Sequence, residues 1–154
     1  MPKEFKKVLA PTDFSDPSRV AVDYAVEMVA PGGTIILCHV VDDIPLTYGY
    51  VGVAVPPPEL GRKMADEAAA ELERFVPAKV PPGVNVVRKV LHGSPFVSIV
   101  RLARDESVDV IVMGTHGRSG LKHILIGSVA EKVVRKSPCP VMVVRPPDAE
   151  FELP

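Results

Sequence analysis

Residues 110–134, VIVMGTHGRSGLKHILIGSVAEKVV, form the stretch that decides the fold. The apolar run from Val110 is typical of a buried strand, and it ends at Gly114. Gly117 follows, and Gly127-Ser128 then precede a helical pattern. Glycines leave backbone N–H groups unobstructed, and the start of a helix favours an anion. Each glycine alone is better explained by a turn, with Gly127 preceding an ordinary serine cap, but the set favours a phosphate site.

Outward from this stretch, short apolar runs alternate with segments of helical spacing. Strands are predicted at 7–10, 34–41, 85–91, 108–113 and 141–144. Helices are predicted from a start at Ser15-Asp16-Pro17 to a stop at Pro31-Gly32-Gly33, and at 59–76, 96–104 and 129–136. Residues 42–58 have no clear period, and connections of that length are often functional. This alternation of apolar strands and helices indicates a parallel sheet covered on both faces.

Composition limits the classes of function. The chain has 154 residues, 47% of them hydrophobic, which is enough for one packed domain. Lys plus Arg number 18 and Asp plus Glu number 19, so no whole-molecule charge favours nucleic acid or an anionic membrane. No apolar run is long enough to span a membrane, and the N-terminus lacks signal-peptide features. Two cysteines without paired spacing indicate a reducing, cytoplasmic setting.

Ligands of such sheets bind beyond the carboxyl ends of the strands, where the strand order reverses. Asp13 lies just past the first strand, and two interpretations stay open. Its carboxylate accepts hydrogen bonds from ligand hydroxyls, such as a ribose, or holds a metal through water; alternatively, it is a turn residue ahead of the helix cap. His116 contacts a phosphate or sugar, or is an ordinary loop histidine. His39 is expected to be a satisfied inner residue, and Cys38 a core residue.

No arrangement for catalysis is evident in the sequence. The phosphate loop G-x-x-x-x-G-K-[ST], the G-x-G-x-x-G fingerprint and the H-E-x-x-H metal motif are all missing, as is a Ser-His-Asp spacing. The pattern thus predicts a cradle for phosphate without an evident apparatus for phosphoryl transfer.

With these motifs in place, the chain resembles the universal stress protein family over nearly its whole length. The matching pieces are KKVLAPTDFS, TIILCHVVD, a Gly-Ser-Pro turn, and DVIVMGTHGRSGLKHILIGSVAEKVVRKSPCPVMVV. The last piece matches the family's G-x2-G-x9-G-[ST] signature, which is characteristic of its ATP-binding branch. The resemblance implies a doubly wound, Rossmann-like (adenine nucleotide alpha hydrolase-like) five-stranded parallel sheet with strand order 3-2-1-4-5 and helices on both faces.

The resemblance also implies a set of nucleotide-binding residues. The ligand would be ATP, or its relatives AMP and ADP, with Mg²⁺ or Mn²⁺. Asp13 would lie at the ribose, and the backbone of Val40 would contact adenine. The full set comprises Pro11, Thr12 and Asp13 at the nucleotide, Val40 at the base, Met113 and Gly114 at the base and sugar, and His116, Gly117, Gly127, Ser128 and Val129 at the phosphates.

Assembly and role follow from the same resemblance. Residues 1–145 would form a single domain and residues 146–154 a C-terminal tail. Members of the family usually form homodimers through the fifth strand, here Val141–Val144, which would otherwise leave an apolar edge exposed. The implied function is a cytoplasmic, nucleotide-dependent stress-response or signalling regulator. A slow ATPase or adenylating enzyme, and an adaptor with a vestigial site, stay open as alternatives.

Overall fold

Strands and helices alternate along the chain in this computed structural model, which describes residues 4–42, 58–75, 77, 79–115 and 126–146. The described residues form five strands and four helices. In chain order these are β1 (Phe5–Pro11), α1 (Asp16–Met28), β2 (Val29–Val41), α2 (Pro58–Arg74), β3 (Asn85–His92), α3 (Pro95–Asp105), β4 (Val110–Gly114), α4 (Ser128–Lys136) and β5 (Val141–Val144).

The five strands form one parallel sheet in the order β3-β2-β1-β4-β5, and this confirms the predicted topology. Val8 of β1 pairs with Ile35 of β2 on one side and with Val110 of β4 on the other. The chain first builds outward from β1 to β2 and β3, then returns to the opposite side of β1. The strand order therefore reverses between β1 and β4.

Helices cover both faces of the sheet, as the alternating pattern predicts. Successive side chains of a strand point to opposite faces. Val8 and Ala10 therefore join a core with α1 and α2, while Leu9 joins a second core with α3 and α4. All three side chains are fully buried, which explains why the second half of β1, from Val8 to Pro11, is apolar.

The start of β2 differs from the prediction. The strand begins at Val29, directly after α1, so Pro31-Gly32-Gly33 lies inside β2 instead of separating it from the helix. The register with β1 is irregular in this region. Gly32 has a φ of +75°, which a glycine adopts without steric cost, and a Cβ on Gly33 would lie 2.7 Å from the carbonyl oxygen of Lys6. The two glycines thus permit a bulge.

The start of β4 is also later than predicted, at Val110 instead of Val108. The carboxylate of Asp109 accepts hydrogen bonds from the backbone N–H groups of Lys6 and Lys7, each at 2.9 Å. The N–H of Val108 donates to a carbonyl at the end of α3. Residues 108 and 109 therefore connect α3 to the start of β1 before the ladder begins.

Three segments singled out from the sequence lie largely or wholly outside the described residues: 42–58, 118–126 and the tail 146–154. Within the described part of the chain, no helix has the length and apolar character needed to cross a membrane.

Candidate functional site

A cavity of about 250 Å³ opens at the carboxyl edge of the sheet, where the strand order reverses between β1 and β4. The ends of β1, β2 and β4 and the N-terminal turns of α3 and α4 surround it. Its described lining comprises Pro11, Thr12, Asp13, Ser18, Cys38, His39, Val40, Pro95, Ile99, Met113, Gly114, Thr115, Gly127, Ser128, Val129 and Ala130.

The cavity brings together most of the residues singled out from the sequence. Pro11, Thr12, Asp13, Val40, Met113, Gly114, Gly127, Ser128 and Val129 all line it. His116 and Gly117 lie outside the described residues. The lining residues that were not predicted as such from the sequence are Ser18, Cys38, His39, Pro95, Ile99, Thr115 and Ala130. Helical spacing marks Ser18, Ile99 and Ala130 only as inward-facing, and it does not indicate which inward-facing positions border a cavity.

The turn after β1 holds Asp13 at the edge of the cavity. One oxygen of the Asp13 carboxylate accepts from the backbone N–H of Ser15 at 3.0 Å and from the Ser15 hydroxyl. Ser15 in turn caps α1, since its side chain accepts from the N–H of Ser18. Asp13 is therefore a turn residue ahead of the helix cap and also part of the cavity wall, so the two interpretations are compatible.

The backbone of Val40 faces the space beyond the end of β1. Along a parallel strand, backbone polar groups of alternate residues point to the same neighbouring strand. The carbonyl of Cys38 accepts from the N–H of Thr12 at 2.8 Å, whereas the carbonyl of Val41 accepts from the N–H of Gly93 on the opposite side, at 3.1 Å. The N–H and C=O of Val40 consequently point to the side of β1, past its last paired residue.

Gly114 has a structural explanation within the fold itself. A Cβ at this position would lie 3.2 Å from the carbonyl oxygen of Pro17, which is tighter than ordinary van der Waals contact. The bare backbone at the end of β4 thus lets the first turn of α1 approach closely. The adjacent Thr115 connects β5 to the start of α4, because its N–H donates to the carbonyl of Val144 and its carbonyl accepts from the N–H of Gly127.

Gly127 differs from Gly114, because its backbone angles are φ −69° and ψ 159°. Any residue adopts this extended conformation, so the backbone itself does not require a glycine. Gly127 is the N-cap of α4 and has no side chain with which to accept from the first turn. Ser128, Val129 and Ala130 follow it and line the cavity. Their first-turn N–H groups have no partner inside the helix, so the positive end of the α4 dipole faces the cavity.

Two titratable side chains at the end of β2 match their predicted roles. Cys38 is fully buried, and burial raises the pKa of its thiol from 9.0 to about 12, so it stays protonated at neutral pH. The Nδ1 atom of His39 lies 2.8 Å from the carbonyl oxygen of Thr12. A carbonyl oxygen only accepts, so Nδ1 carries the hydrogen and donates. Cys38 is thus a core residue and His39 is satisfied, as predicted.

A metal site formed by protein side chains alone does not occur in the part of the chain that the structure describes. There, no group of three or more His, Cys, Asp or Glu side chains is placed to hold an ion. Of the carboxylates at this edge, Asp13 is the one that lines the cavity.

Fold and cavity define the class of doubly wound α/β proteins that hold a ligand where the strand order reverses. Within that class, a model of the universal stress protein family matches residues 4–145. The chain belongs to the universal stress protein family.

Several relatives align over nearly their full length. Universal stress protein MJ0577 of Methanocaldococcus jannaschii is 36% identical, with 92% of this chain and 95% of that protein covered. The solved structure of MJ0577 superimposes with a TM-score of 0.80 over 95% of this chain and 99% of that one. Universal stress protein YxiE of Bacillus subtilis is 31% identical, with coverage of 92% and 99%. A universal stress protein solved in complex with cAMP is 25% identical, with a TM-score of 0.58 and coverage of 92% and 98%.

Proposed function

We propose that this chain is an ATP-binding universal stress protein and that the cavity at the carboxyl edge of the sheet holds the nucleotide. The observation that carries the proposal is the position of the α4 N-terminus, which lines the same cavity as the ends of β1 and β2. A helix N-terminus attracts phosphate, and apolar walls suit a flat base. The similar protein in complex with cAMP, itself an adenine nucleotide, supports this choice of ligand.

The nucleoside would occupy the side of the cavity formed by β1 and β2. The exposed backbone groups of Val40 suit the edge of adenine, which presents both hydrogen-bond donors and acceptors. Met113 and Ile99 supply apolar surface against the ring. The carboxylate of Asp13 is a suitable acceptor for ribose hydroxyls, and the N–H and hydroxyl of Ser15 hold it at the wall of the cavity. Pro11 and Thr12 would border the nucleotide beside it.

The phosphates would lie at the N-terminus of α4. Ser128 and Val129 present backbone N–H groups there, and the absence of a side chain at Gly127 keeps the approach open. The conformation of Gly127 does not require glycine, and a bare backbone at this position suits the close approach of a ligand. His116 and Gly117, outside the described residues, stay predicted phosphate contacts.

Mg²⁺ or Mn²⁺ would accompany the triphosphate rather than occupy a site of its own. Magnesium is commonly bound by one or two carboxylates together with substrate phosphates and several waters. Asp13 is the carboxylate available for this role, directly or through water. When bound, the cation would neutralise charge on the phosphate oxygens.

Binding is favoured over chemistry as the function of this cavity. Phosphoryl transfer needs a positioned base and cationic groups on the transferred phosphate. The Cys38 thiol is protonated, and the Nδ1 atom of His39 is engaged by the backbone of Thr12. A slow ATPase or adenylating activity is therefore the alternative that experiment must address.

In this proposal, the protein acts in the cytoplasm as a homodimer that regulates a stress response or a signalling process. β5 is an edge strand of the sheet, and Met142 on it is 36% exposed. Pairing with β5 of a second copy would satisfy this edge and cover its apolar side chains. Nucleotide occupancy would then reach a partner through the dimer surface or through the 42–58 loop.

The test begins with the wild-type protein and mass analysis of whatever small molecule copurifies with it. Stripped protein is then titrated calorimetrically with ATP and with adenosine, with and without Mg²⁺. The expected result is a copurifying adenine nucleotide and tighter binding of ATP than of adenosine. Lack of any adenine nucleotide binding up to about 1 mM, a ΔG of about −4 kcal/mol, would overturn the proposal and favour an adaptor with a vestigial site.

The same preparation distinguishes binding from catalysis. It is incubated with ATP and Mg²⁺, and ADP, AMP, phosphate and pyrophosphate are measured. Product many-fold above background that is abolished by Asp13→Ala would support the enzyme alternative, whereas intact ATP supports a nucleotide-binding regulator.

A further inference from the structure

Phe14 has a backbone conformation that its residue type disfavours. Its φ is +66°, in the left-handed region where a bulky residue meets a steric penalty. Such a conformation persists only when the surrounding contacts impose it, and it occurs preferentially at functional sites. Phe14 follows Asp13 directly, but it is not among the described residues that line the cavity. Its stacking partner His39 does line the cavity, so Phe14 contacts the cavity wall from outside the lining.

Aromatic contacts hold the Phe14 ring. It stacks on His39, with ring centroids 4.5 Å apart and an interplanar angle of 28°. It also packs edge-on against Phe75, with ring centroids 6.1 Å apart. The guanidinium of Arg19 lies 4.3 Å from the centre of the Phe75 ring. Phe75 is 3% exposed, so this end of the stack is anchored in the core.

Hydrogen bonds connect the same stack to the turn that carries Asp13. His39 donates from Nδ1 to the carbonyl of Thr12 at 2.8 Å. The N–H of Phe14 donates to the hydroxyl oxygen of Thr12 at 3.0 Å. His39 is also the residue next to Val40 in β2. One pair of rings thus ties the segment that carries Asp13 to the segment that carries Val40.

We infer that Phe14 and His39 are positioning residues that set the separation between Asp13 and Val40, and thereby the fit of the nucleoside. This inference rests on the proposed function, in which Asp13 contacts the ribose and Val40 the base. Neither ring acts on the phosphates, whose proposed site is on α4. Loss of either ring should therefore weaken adenosine and ATP by the same factor.

The test measures ATP and adenosine dissociation constants by calorimetry for the wild type, Phe14→Gly and His39→Ala. Glycine is chosen at position 14 because it tolerates a positive φ, so that only the ring is removed. We expect both variants to lose about tenfold in affinity for each ligand, the equivalent of one hydrogen bond of typical net strength. His39→Asn retains a donor near the position of Nδ1 and should recover part of the loss.

A destabilised control separates positioning from a general effect on folding. Gly33→Ala places a methyl group against backbone atoms in the bulge of β2, remote from the cavity, and should lower the melting temperature without changing either dissociation constant. All titrations are made where circular dichroism shows each variant to be folded.

Wild-type affinity for both ligands in Phe14→Gly and His39→Ala would overturn the inference. So would weaker binding in Gly33→Ala that parallels its loss of stability, since the effect would then come from folding. If the wild type itself binds no adenine nucleotide, the proposed function fails, and the inference fails with it.

Discussion

The hydroxyl oxygens of Thr12 and Ser18 lie 2.9 Å apart, and both residues are 5% exposed. The Ser18 hydroxyl donates to the carbonyl of Ser15 at 2.9 Å, so the hydrogen in the shared bond comes from Thr12. Thr12 also accepts from the N–H of Phe14. This chain of hydrogen bonds joins the end of β1 to the first turn of α1 at the wall of the cavity.

Thr12→Val should destabilise the protein by about 1–3 kcal/mol, because the N–H of Phe14 loses its acceptor and the buried Ser18 hydroxyl loses the hydrogen bond that it accepts. Urea denaturation measures the free energy of unfolding. Ser98→Ala is the matched control, since the Ser98 hydroxyl makes one exposed bond to the carbonyl of His92, and it should change stability by less than about 0.5 kcal/mol. Equal effects of the two substitutions would contradict the importance of the buried pair.

Gly127→Val should weaken ATP far more than adenosine, because the added side chain intrudes where the N–H groups of α4 face the phosphates. Calorimetric titration of both ligands checks this expectation. The extended backbone at Gly127 accepts valine without a strained φ, and circular dichroism checks that the variant is folded.

Gly61→Val is the matched control for the cradle, because Gly61 lies on α2 and a Cβ there meets nothing within 4 Å. It should leave both affinities unchanged. Equal losses for ATP and adenosine in Gly127→Val would remove the assignment of the phosphates to α4.

Gly33→Ala and Gly61→Ala should change stability in opposite directions. A Cβ at Gly33 would lie 2.7 Å from the carbonyl oxygen of Lys6 and 2.9 Å from that of Ala30, so the bulge must open, at a cost of about 1–3 kcal/mol. Gly61 occupies an open helical position, where alanine stabilises by up to about 1 kcal/mol. Thermal unfolding of the two variants provides the comparison, and destabilisation by both would refute the packing argument.

Alkaline pH should destabilise the wild type through Cys38. Burial raises the pKa of its thiol to about 12, above the ordinary value of 9.0. The unfolded chain therefore releases this proton first, and the stability that the buried thiol contributes is complete below pH 9.0 and lost as pH rises toward about 12. The slope from this group approaches about 1.4 kcal/mol per pH unit.

The measurement is the free energy of unfolding against pH for the wild type, Cys38→Ala and Cys139→Ala. Cys38→Ala should have the shallower alkaline slope, although a cavity lowers its stability at every pH. Cys139→Ala controls for the removal of a thiol, and a slope identical in all three proteins would show that Cys38 does not contribute.

Much of the fold was predictable because its signals are local. The apolar runs that begin at Val8 in β1 and at Val110 in β4 indicate segments buried on both faces, and both segments are so buried. The first residues of strands were less predictable where they depend on contacts with residues distant in the sequence. Val29 begins β2 because it pairs with Phe5, and Asp109 delays β4 because its carboxylate binds backbone N–H groups of β1. Helical spacing and proline positions do not indicate which distant residues pair with these strand ends.

The residues of the candidate site also fall into those that were predictable from the sequence and those that were not. Asp13, Gly114 and Gly127 were recognisable because strand ends and helix starts are where ligands bind in this type of sheet. Ser18 and Ile99 were not, since helical spacing marks them only as inward-facing. For Gly114 the structure supplies a reason of its own, the close approach of Pro17.

By itself the sequence determined the order of elements, the parallel sheet and the resemblance to the universal stress protein family, because these depend on the period of apolar residues and on residue type along the chain. Only the tertiary structure decided that the backbone of Phe14 lies in the left-handed region and that the backbone of Val40 points past the end of β1. It also decided that burial raises the pKa of the Cys38 thiol. Each of these depends on groups brought close by folding: the ring of His39, the end of a neighbouring strand, and the apolar surroundings that exclude water.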